Sequence, residues 1–376
     1  MLTKEVENVV YLDYSATTPV DKRVLESFVN ANTDNYANPN SLHEIGLKSH
    51  RVIEEVTQSI KDNLKVKDYD IIYTSGATEA NNLAIKGCAF KYGNKRKHLL
   101  TSRYEHSSVT ACFNYLADQG FEVEVLDSDE FGRVSLADLK RKLREDTLLV
   151  SIAAVNSETG ITQDLNTISG IIKSQSKAYF HSDITQALTK TNIDVSNLDL
   201  ASFTAHKFYG LKGIGALVKN TSLDLEPIIH GGKSFSHYRS GTMPTPLIVS
   251  LGKALDIAIS NQKKNQEKIS KVYDLLIREL RKFDSVLLNS NQYSIKQIVN
   301  VSFLKVPSKK LSEILSNQKI FVSTTTACAS KSAYSLAVEN LTHSKERAKT
   351  AIRISLSHLT TEDEIYTLIK ALKEVL

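Results

Sequence analysis

The chain has 376 residues and a formal net charge of +5; 41% of its residues are apolar and 24% are charged. This composition is typical of a soluble globular protein with room for two domains. The sequence shows no dense basic patch with interleaved aromatic residues, no apolar core of a signal peptide and no apolar run long enough to cross a bilayer. We therefore expect a cytoplasmic protein that binds neither a membrane nor, directly, a nucleic acid.

The three cysteines, Cys88, Cys112 and Cys328, are too few and too scattered for a disulfide framework. They also lack the CxxC or Cys/His spacing of a zinc site, so we expect no metal. Cys88 and Cys112 fall within helical patterns, where a cysteine is most often a buried apolar filler. Any functional cysteine should be a free thiol.

Strand-like apolar runs alternate with amphipathic helical patterns through the first part of the chain, up to the strand at 215–218. This alternation predicts an α/β fold with a mainly parallel sheet covered by helices. A long helical pattern over 248–283 then leads into a smaller α+β domain, whose last helix opens on a capping box of Thr361 and Glu364. We place the large domain at 14–255 and the small domain at 1–13 and 256–376.

One stretch, 200–215, reads as a strand that stops in a glycine-containing loop. It brings Lys207 to a strand end, next to Thr204 and His206. A buried or crowded lysine loses its proton easily and can then form a Schiff base. On this stretch alone, an ordinary solvated lysine in a surface loop is an equally good interpretation.

Two further strand ends carry polar groups. Ser75-Gly76-Ala77-Thr78 joins a strand to a helix, where free amides and the helix dipole favour a phosphate, although many such turns bind nothing. Asp183 follows another strand; its carboxylate could keep a pyridine nitrogen protonated, or it could simply cap a helix. His106 and Asn156 also follow strands, and each would be unremarkable alone.

These groups are more informative together than apart. Ligands of parallel α/β sheets bind outside the carboxyl ends of the strands. A phosphate cradle, an acid and a lysine at those ends predict a site for pyridoxal phosphate, so the large domain is expected to be a pyridoxal-phosphate-binding domain.

The sequence resembles the cysteine desulfurases of the NifS/IscS type, within the class V aminotransferase group of fold-type I enzymes. The matching stretches run almost from end to end of the chain and are 11–19, 38–39, 74–79, 105–107, 155–156, 203–215, 239–242, 327–328 and 352–356.

The resemblance implies a role for each matching residue around the cofactor. Lys207 would form the Schiff base and later move protons, Asp183 would pair with the pyridine nitrogen, and His106 would stack on the ring. Gln186 and Asn156 would reach the ring hydroxyl or the substrate. The phosphate would be held by four residues of one subunit and by Thr242 across a dimer boundary, the four being Ala77, Thr78, Thr204 and His206.

The resemblance also implies the substrate and the chemistry. Arg353 would bind the carboxylate of L-cysteine, with Asn38 and Asn156 nearby. Cys328, in a polar tract of small residues, would attack the substrate sulfur as a thiolate, keep it as a persulfide and release alanine. The expected partners are a second copy of the chain and a sulfur acceptor, either an iron–sulfur scaffold or a sulfurtransferase serving tRNA thiolation or a thio-cofactor.

Several positions depart from the usual pattern of that family. Thr325-Thr326 replaces a Gly-Ser pair before Ala-Cys, Ser157 replaces an asparagine, Leu211 replaces a proline, and 231–235 replaces a glycine-rich run. Two alternatives therefore stay open. One is another class V enzyme, such as a selenocysteine lyase or an aminotransferase, and the other is a weakly active scaffold for sulfur transfer.

Overall fold

The computed structural model describes residues 9–232, 235–324 and 334–376. Its strands are β1 Val10–Tyr11, β2 Tyr69–Thr74, β3 His98–Ser102, β4 Glu122–Leu126, β5 Thr147–Ser151, β6 Tyr179–Asp183, β7 Leu200–Thr204, β8 Gly215–Asn220, β9 Val286–Leu288, β10 Ile298–Phe303, β11 Ile320–Phe321 and β12 Ala351–Ser355. Its α-helices are α1 Lys22–Asp34, α2 Glu44–Leu64, α3 Ala77–Tyr92, α4 Ser107–Asp118, α5 Leu136–Lys142, α6 Leu165–Gln175, α7 Thr245–Ser260, α8 Gln262–Leu280, α9 Ser308–Asn317, α10 Leu336–Thr342, α11 Lys345–Lys349 and α12 Glu362–Val375.

A seven-stranded sheet with the order β2-β8-β7-β6-β5-β3-β4 forms the centre of the molecule. Strand β8 pairs antiparallel with both neighbours, and the other pairs are parallel. Alternate residues of its strands pack into two separate apolar clusters, with Leu149 and Leu217 in one and Val150 and Val218 in the other. Both faces are therefore covered, as a mainly parallel sheet requires, and the predicted α/β class is confirmed.

Because β8 runs against its neighbours, it begins at the edge where β2 and β7 end. Gly215 lies opposite both Thr74 and Thr204. A Cβ at this position would lie 2.5 Å from the carbonyl oxygen of Phe203 and 2.8 Å from the Cα of Gly76. Only glycine lets the strand pass so close to the loop that follows β2, and this close approach draws the ends of β2 and β7 together.

A second apolar core lies around β9, β10 and β12, which form an antiparallel sheet with β10 in the centre. Residues of α8, α9 and α12 belong to this core, and so do Val10 and Leu12 from the beginning of the chain. Strand β1 pairs in parallel with β11. The domain limits at residues 13 and 255 stay a prediction, and the second of them falls inside α7.

The long helical pattern over 248–283 corresponds to two helices, α7 and α8, rather than to one continuous helix. Asn261 lies between them, and its side-chain Nδ2 donates a hydrogen bond to the carbonyl of Ile257 at 2.8 Å. A side chain that competes for helix carbonyls favours a helix end. The capping box of Thr361 and Glu364 is confirmed, with both reciprocal hydrogen bonds present.

Within the described ranges, no helix is long and apolar enough to span a membrane. The same residues contain no group of three or more His, Cys, Asp or Glu side chains that could hold a metal ion.

Candidate active site

A cavity of about 400 Å³ opens at the carboxyl ends of the large sheet, with Arg353 reaching it from β12. This volume is in the range of small-molecule sites. Besides Arg353, which was predicted to bind the substrate, the cavity is lined by most of the predicted cofactor residues, namely Ala77, Thr78, His106, Asp183, Gln186, Thr204, His206 and Lys207.

Lys207 lies in a 3-10 turn, Ala205–Lys207, that directly follows β7. Its Nζ donates hydrogen bonds to the carbonyls of Ser15 at 2.6 Å and Ala16 at 2.9 Å. The loop after β1 thus holds the amine in the wall of the cavity. Thr18 fastens the same loop to the lysine turn, because its Oγ1 donates to the carbonyl of His206 at 3.0 Å.

His206 is held as a neutral imidazole. Burial, reinforced by the positive charges of Lys207, Lys212 and Lys190, lowers the pKa of His206 to about 4. Its Nδ1 lies 3.2 Å from Thr17 Oγ1. His206 can therefore hydrogen-bond a ligand anion, while the net positive charge there comes from lysine.

The turn between β2 and α3 forms an anion cradle. Helix α3 starts at Ala77 without a side-chain cap, so the amides of its first turn stay available to a ligand. The helix dipole favours negative charge at this end. Lys212 and Gly213 also line the cavity. The arrangement fits the phosphate of pyridoxal phosphate.

Asp183 lies at the end of β6 and is 7% exposed. Its Oδ1 accepts a hydrogen bond from the amide of Thr185 at 3.0 Å, and its Oδ2 accepts one from Asn81 Nδ2 at 2.8 Å. A buried carboxylate that accepts two hydrogen bonds is held in one orientation. It is suited to pair with a protonated ring nitrogen.

Gln186 lies beside the lysine. Its Nε2 donates to the carbonyl of Ser15 at 2.9 Å, and its Oε1 accepts a hydrogen bond from Lys190 Nζ. Burial, with the charges of Lys207 and Arg353, lowers the pKa of Lys190 to about 7. Lys190 was not predicted from the sequence, although it stands only four residues after Gln186.

Arg353 is 1% exposed. Its Nη1 donates to the carbonyl of Ser157 at 2.9 Å, and its Nη2 forms an ion pair with Asp13 Oδ1 at 2.8 Å. Its Nε is buried without a hydrogen-bond partner among the described residues. A guanidinium has five N–H donors, so a carboxylate in the cavity would find donors on Arg353.

Three predicted residues do not line this cavity, and a fourth is not among the residues that the structure describes. The side-chain amide of Asn156 donates to the carbonyl of Tyr104 and accepts from Glu158 and Thr159, so it binds the loop after β3 and its own loop. Asn38 and Thr242 are exposed and do not line the cavity. Cys328 lies outside the described residues.

Glu105, within the matching stretch 105–107, is a further acid beside the site, and its side chain is partly enclosed. Its Oε1 accepts hydrogen bonds from Ser102 Oγ and from the amide of Ala153, whereas its Oε2 is buried without a described partner. Burial, with the nearby charge of Asp183, raises the pKa of Glu105 to about 8. No pattern in the sequence distinguishes this glutamate from a solvated one.

Comparisons with known proteins agree with this geometry. The family model "Aminotransferase class-V" matches residues 10–368. "Cysteine desulfurase IscS" of Rickettsia akari is 38% identical over 364 residues, which cover 95% of this chain and 88% of the relative. A solved "NIFS-LIKE PROTEIN" superposes with a TM-score of 0.91 at 31% identity, over 98% of this chain and 99% of the other.

A second solved structure, "SspA in complex with cysteine", has a TM-score of 0.80 at 34% identity and covers 93% of this chain and 99% of its own. The matches extend over nearly the whole of both chains, so they include the large sheet as well as the second core. The chain belongs to the class V aminotransferase family, among the cysteine desulfurases of the NifS/IscS type.

Proposed function

We propose that this protein is a pyridoxal-phosphate-dependent cysteine desulfurase that converts L-cysteine to L-alanine and keeps the sulfur as a persulfide on Cys328. The observation that carries the proposal is the meeting of Lys207, Asp183, the amides that open α3 and Arg353 in one cavity. Each serves a different part of the cofactor or substrate, and the cysteine desulfurases in the comparisons share the whole fold.

The residues present fit the cofactor. The α3 amides, Thr204 and His206 would bind its phosphate, and Asp183 would keep its ring nitrogen protonated. Gln186 is better placed than Asn156 for the ring hydroxyl, because Gln186 lines the cavity. When bound there, pyridoxal phosphate would supply the electron sink that acidifies the substrate Cα–H and weakens the Cβ–S bond.

The substrate would be oriented by Arg353, which takes the carboxylate of L-cysteine. Lys207 would then accept the Cα proton as a general base. The Cys328 thiolate attacks the substrate sulfur, an S–S bond forms, and the Cβ–S bond breaks with its electron pair left on Cβ. Protonation of Cβ and return of a proton to Cα complete alanine, and the outer sulfur of the persulfide would pass to an acceptor such as an iron–sulfur scaffold or a sulfurtransferase.

A homodimer would complete the site. Helix α1 exposes Leu25 and Val29, and the loop after it exposes Tyr36 and Leu42, which is 89% accessible. Exposed apolar residues on neighbouring segments are typical of a surface that a partner covers. Thr242 lies outside the cavity of its own chain, which supports its assignment to the phosphate of a second copy.

The assay is alanine release from L-cysteine by the purified, cofactor-loaded protein. We expect catalytic alanine formation with the wild-type protein. Cys328→Ser should lose desulfuration while keeping the absorption of the bound cofactor, and this outcome separates the proposal from an aminotransferase. A protein that binds the cofactor yet releases no alanine would refute the proposed activity.

Two companion assays address the alternatives. L-Selenocysteine supplied in place of L-cysteine tests for a selenocysteine lyase, which would not depend on Cys328. Full activity without any added protein would count against a scaffold role. Capture of proteins by the persulfide-loaded enzyme, with identification by mass spectrometry, would reveal the acceptor.

A further inference from the structure

A continuous chain of hydrogen bonds connects His106 with Asp183 beneath the floor of the cavity. Asn81 Nδ2, on α3, lies 2.8 Å from Asp183 Oδ2 and 2.9 Å from Ser108 Oγ. Ser108 Oγ in turn lies 2.8 Å from His106 Nδ1. Asn81 is fully buried, and Ser108 and Asp183 are less than 9% exposed. The two hydrogen bonds of Asn81 are therefore enclosed within the protein.

The direction of each hydrogen bond follows from the carboxylate. An amide nitrogen carries two hydrogens, and here one goes to Asp183 and the other to Ser108. The opposite amide orientation would set the oxygen of Asn81 against a carboxylate oxygen, which is repulsive. Ser108 Oγ therefore accepts from Asn81, and its own hydrogen is left for His106 Nδ1.

His106 receives a second donor at the same atom. The backbone amide of Ser108 also points to His106 Nδ1, at 3.2 Å, as the cap of α4. A nitrogen that accepts two hydrogen bonds carries no proton, so the neutral ring has its hydrogen on Nε2. Burial lowers the pKa of His106 and favours this neutral form.

The side chain of Asn81 destabilises the folded protein at one atom. Its Oδ1 is buried and has no hydrogen-bond partner among the described residues. An unsatisfied buried carbonyl destabilises a protein. A smaller apolar residue would remove this cost but would also remove both N–H donors. The arrangement is therefore explained by a need for those two donors.

We propose that Asn81 is a positioning residue that orients Asp183 for the ring nitrogen and, through Ser108, fixes His106 with its hydrogen on Nε2. This inference rests on the proposed function for the identity of the ring. With its hydrogen on Nε2, His106 can act first as a proton donor at Nε2, and it cannot accept a proton at that atom until it has released its own. One side chain, Asn81, is then responsible for the orientation of two of the groups that would contact the ring, Asp183 and His106.

The tautomer is tested in the cofactor-free full chain by NMR of ¹⁵N-labelled histidines, with His106→Gln for assignment. We expect the wild-type spectrum at neutral pH to show His106 with Nε2 protonated and Nδ1 bare. In Asn81→Asp, the new carboxylate accepts the Ser108 hydrogen, so the population of that tautomer should fall. A wild-type ring protonated on Nδ1 would overturn the proposal.

The proposed role of Asn81 in orienting Asp183 is tested by titrating cofactor-free protein with pyridoxal phosphate and following the protein fluorescence. Asn81→Asp places a second acid against Asp183, and we expect binding to weaken by about tenfold or more, since hydrogen bonds to charged groups are among the stronger ones. Asn81→Ala, which adds no charge, should weaken binding less. Asn82→Ala is the matched control, because Asn82 donates to the carbonyl of Thr78 on the same helix and should bind like the wild type.

The outcomes separate this inference from the proposed function. Wild-type protein that fails to bind pyridoxal phosphate would refute the function, while the tautomer of His106 would still decide the inference. Wild-type-like cofactor binding and an unchanged tautomer in both Asn81 variants would overturn the inference and leave the function standing. Ser108→Ala should alter the His106 signal but keep cofactor affinity.

Discussion

The two ends of the cavity are built in different ways. At the phosphate and ring end, the functional groups follow strands of one sheet, with Thr78 after β2, Asp183 at the end of β6 and Lys207 after β7. At the other end, Arg353 is held by Ser157 and Asp13, which are 196 and 340 positions away in the chain. The first end depends on strand order, and the second depends on how the two cores meet.

The largest effect should come from the ring end. Lys207→Ala removes the amine that would move the Cα proton, and we expect kcat to fall by about a thousandfold or more, the upper part of the range for general acid–base groups. Steady-state alanine assays measure the loss. Lys91→Ala, a surface lysine paired with Asp224, serves as the control and should keep wild-type activity.

Substitutions at the Arg353 end of the cavity, which would bind the substrate carboxylate, should change KM. Arg353→Lys keeps a positive charge but loses the planar set of donors. We expect KM for L-cysteine to rise about ten- to a hundredfold, as is typical when hydrogen bonds to a charged group are lost, while pyridoxal phosphate affinity stays unchanged. Asp13→Asn should move the same parameter less. A change in cofactor affinity instead of KM would show that the two ends are not separable.

Glu105 lies at the ring end and should make stability depend on pH. In the unfolded chain its pKa returns to about 4.5, whereas in the folded protein it is about 8. Between these values the folded protein holds a proton that the unfolded chain has released, so this group lowers stability as the pH rises. Thermal unfolding of Glu105→Gln and wild type from pH 5 to 8 should show the difference between them widening with pH, in favour of the variant. A constant difference would show that Glu105 is ionised in the folded protein.

The smallest effect concerns the other two cysteines. Burial raises the pKa of the Cys88 thiol, and it raises that of Cys112 to about 11. Neither forms a thiolate near neutral pH, so alkylation of the native protein should leave both unmodified and label Cys328 alone. Peptide mass spectrometry before and after denaturation checks this, and fast labelling of Cys88 in the native state would contradict it.

The phosphate and ring end of the cavity could be predicted from the sequence, because the carboxyl ends of parallel strands lie at the same edge of a sheet. Lys207 and Asp183 each follow an apolar run in the sequence, so their meeting could be expected before the structure was known. The ion pair of Arg353 with Asp13 could not be expected, because it depends on contacts across most of the chain.

The residues that contact the site residues from behind could also not be predicted from the sequence. Asn81 lies on α3 and Lys190 in a turn after Gln186, and only the structure shows that Asn81 is fully buried and that Lys190 contacts Gln186. The break at Asn261 has a similar origin. Beyond it, Gln262 and Gln266 donate to the carbonyls of Thr191 and Lys190, so α8 is placed against the loop that follows Gln186.

The most direct test of the account is the mass of the Cys328 peptide after a single turnover with L-cysteine. The account predicts the added mass of one sulfur atom on that peptide, together with one alanine released, in the cofactor-loaded wild-type protein. Lys207→Ala should show neither. Alanine released from wild-type protein without sulfur on Cys328, or sulfur on Cys328 in Lys207→Ala, would contradict the claim that Lys207 and Cys328 act on the same substrate.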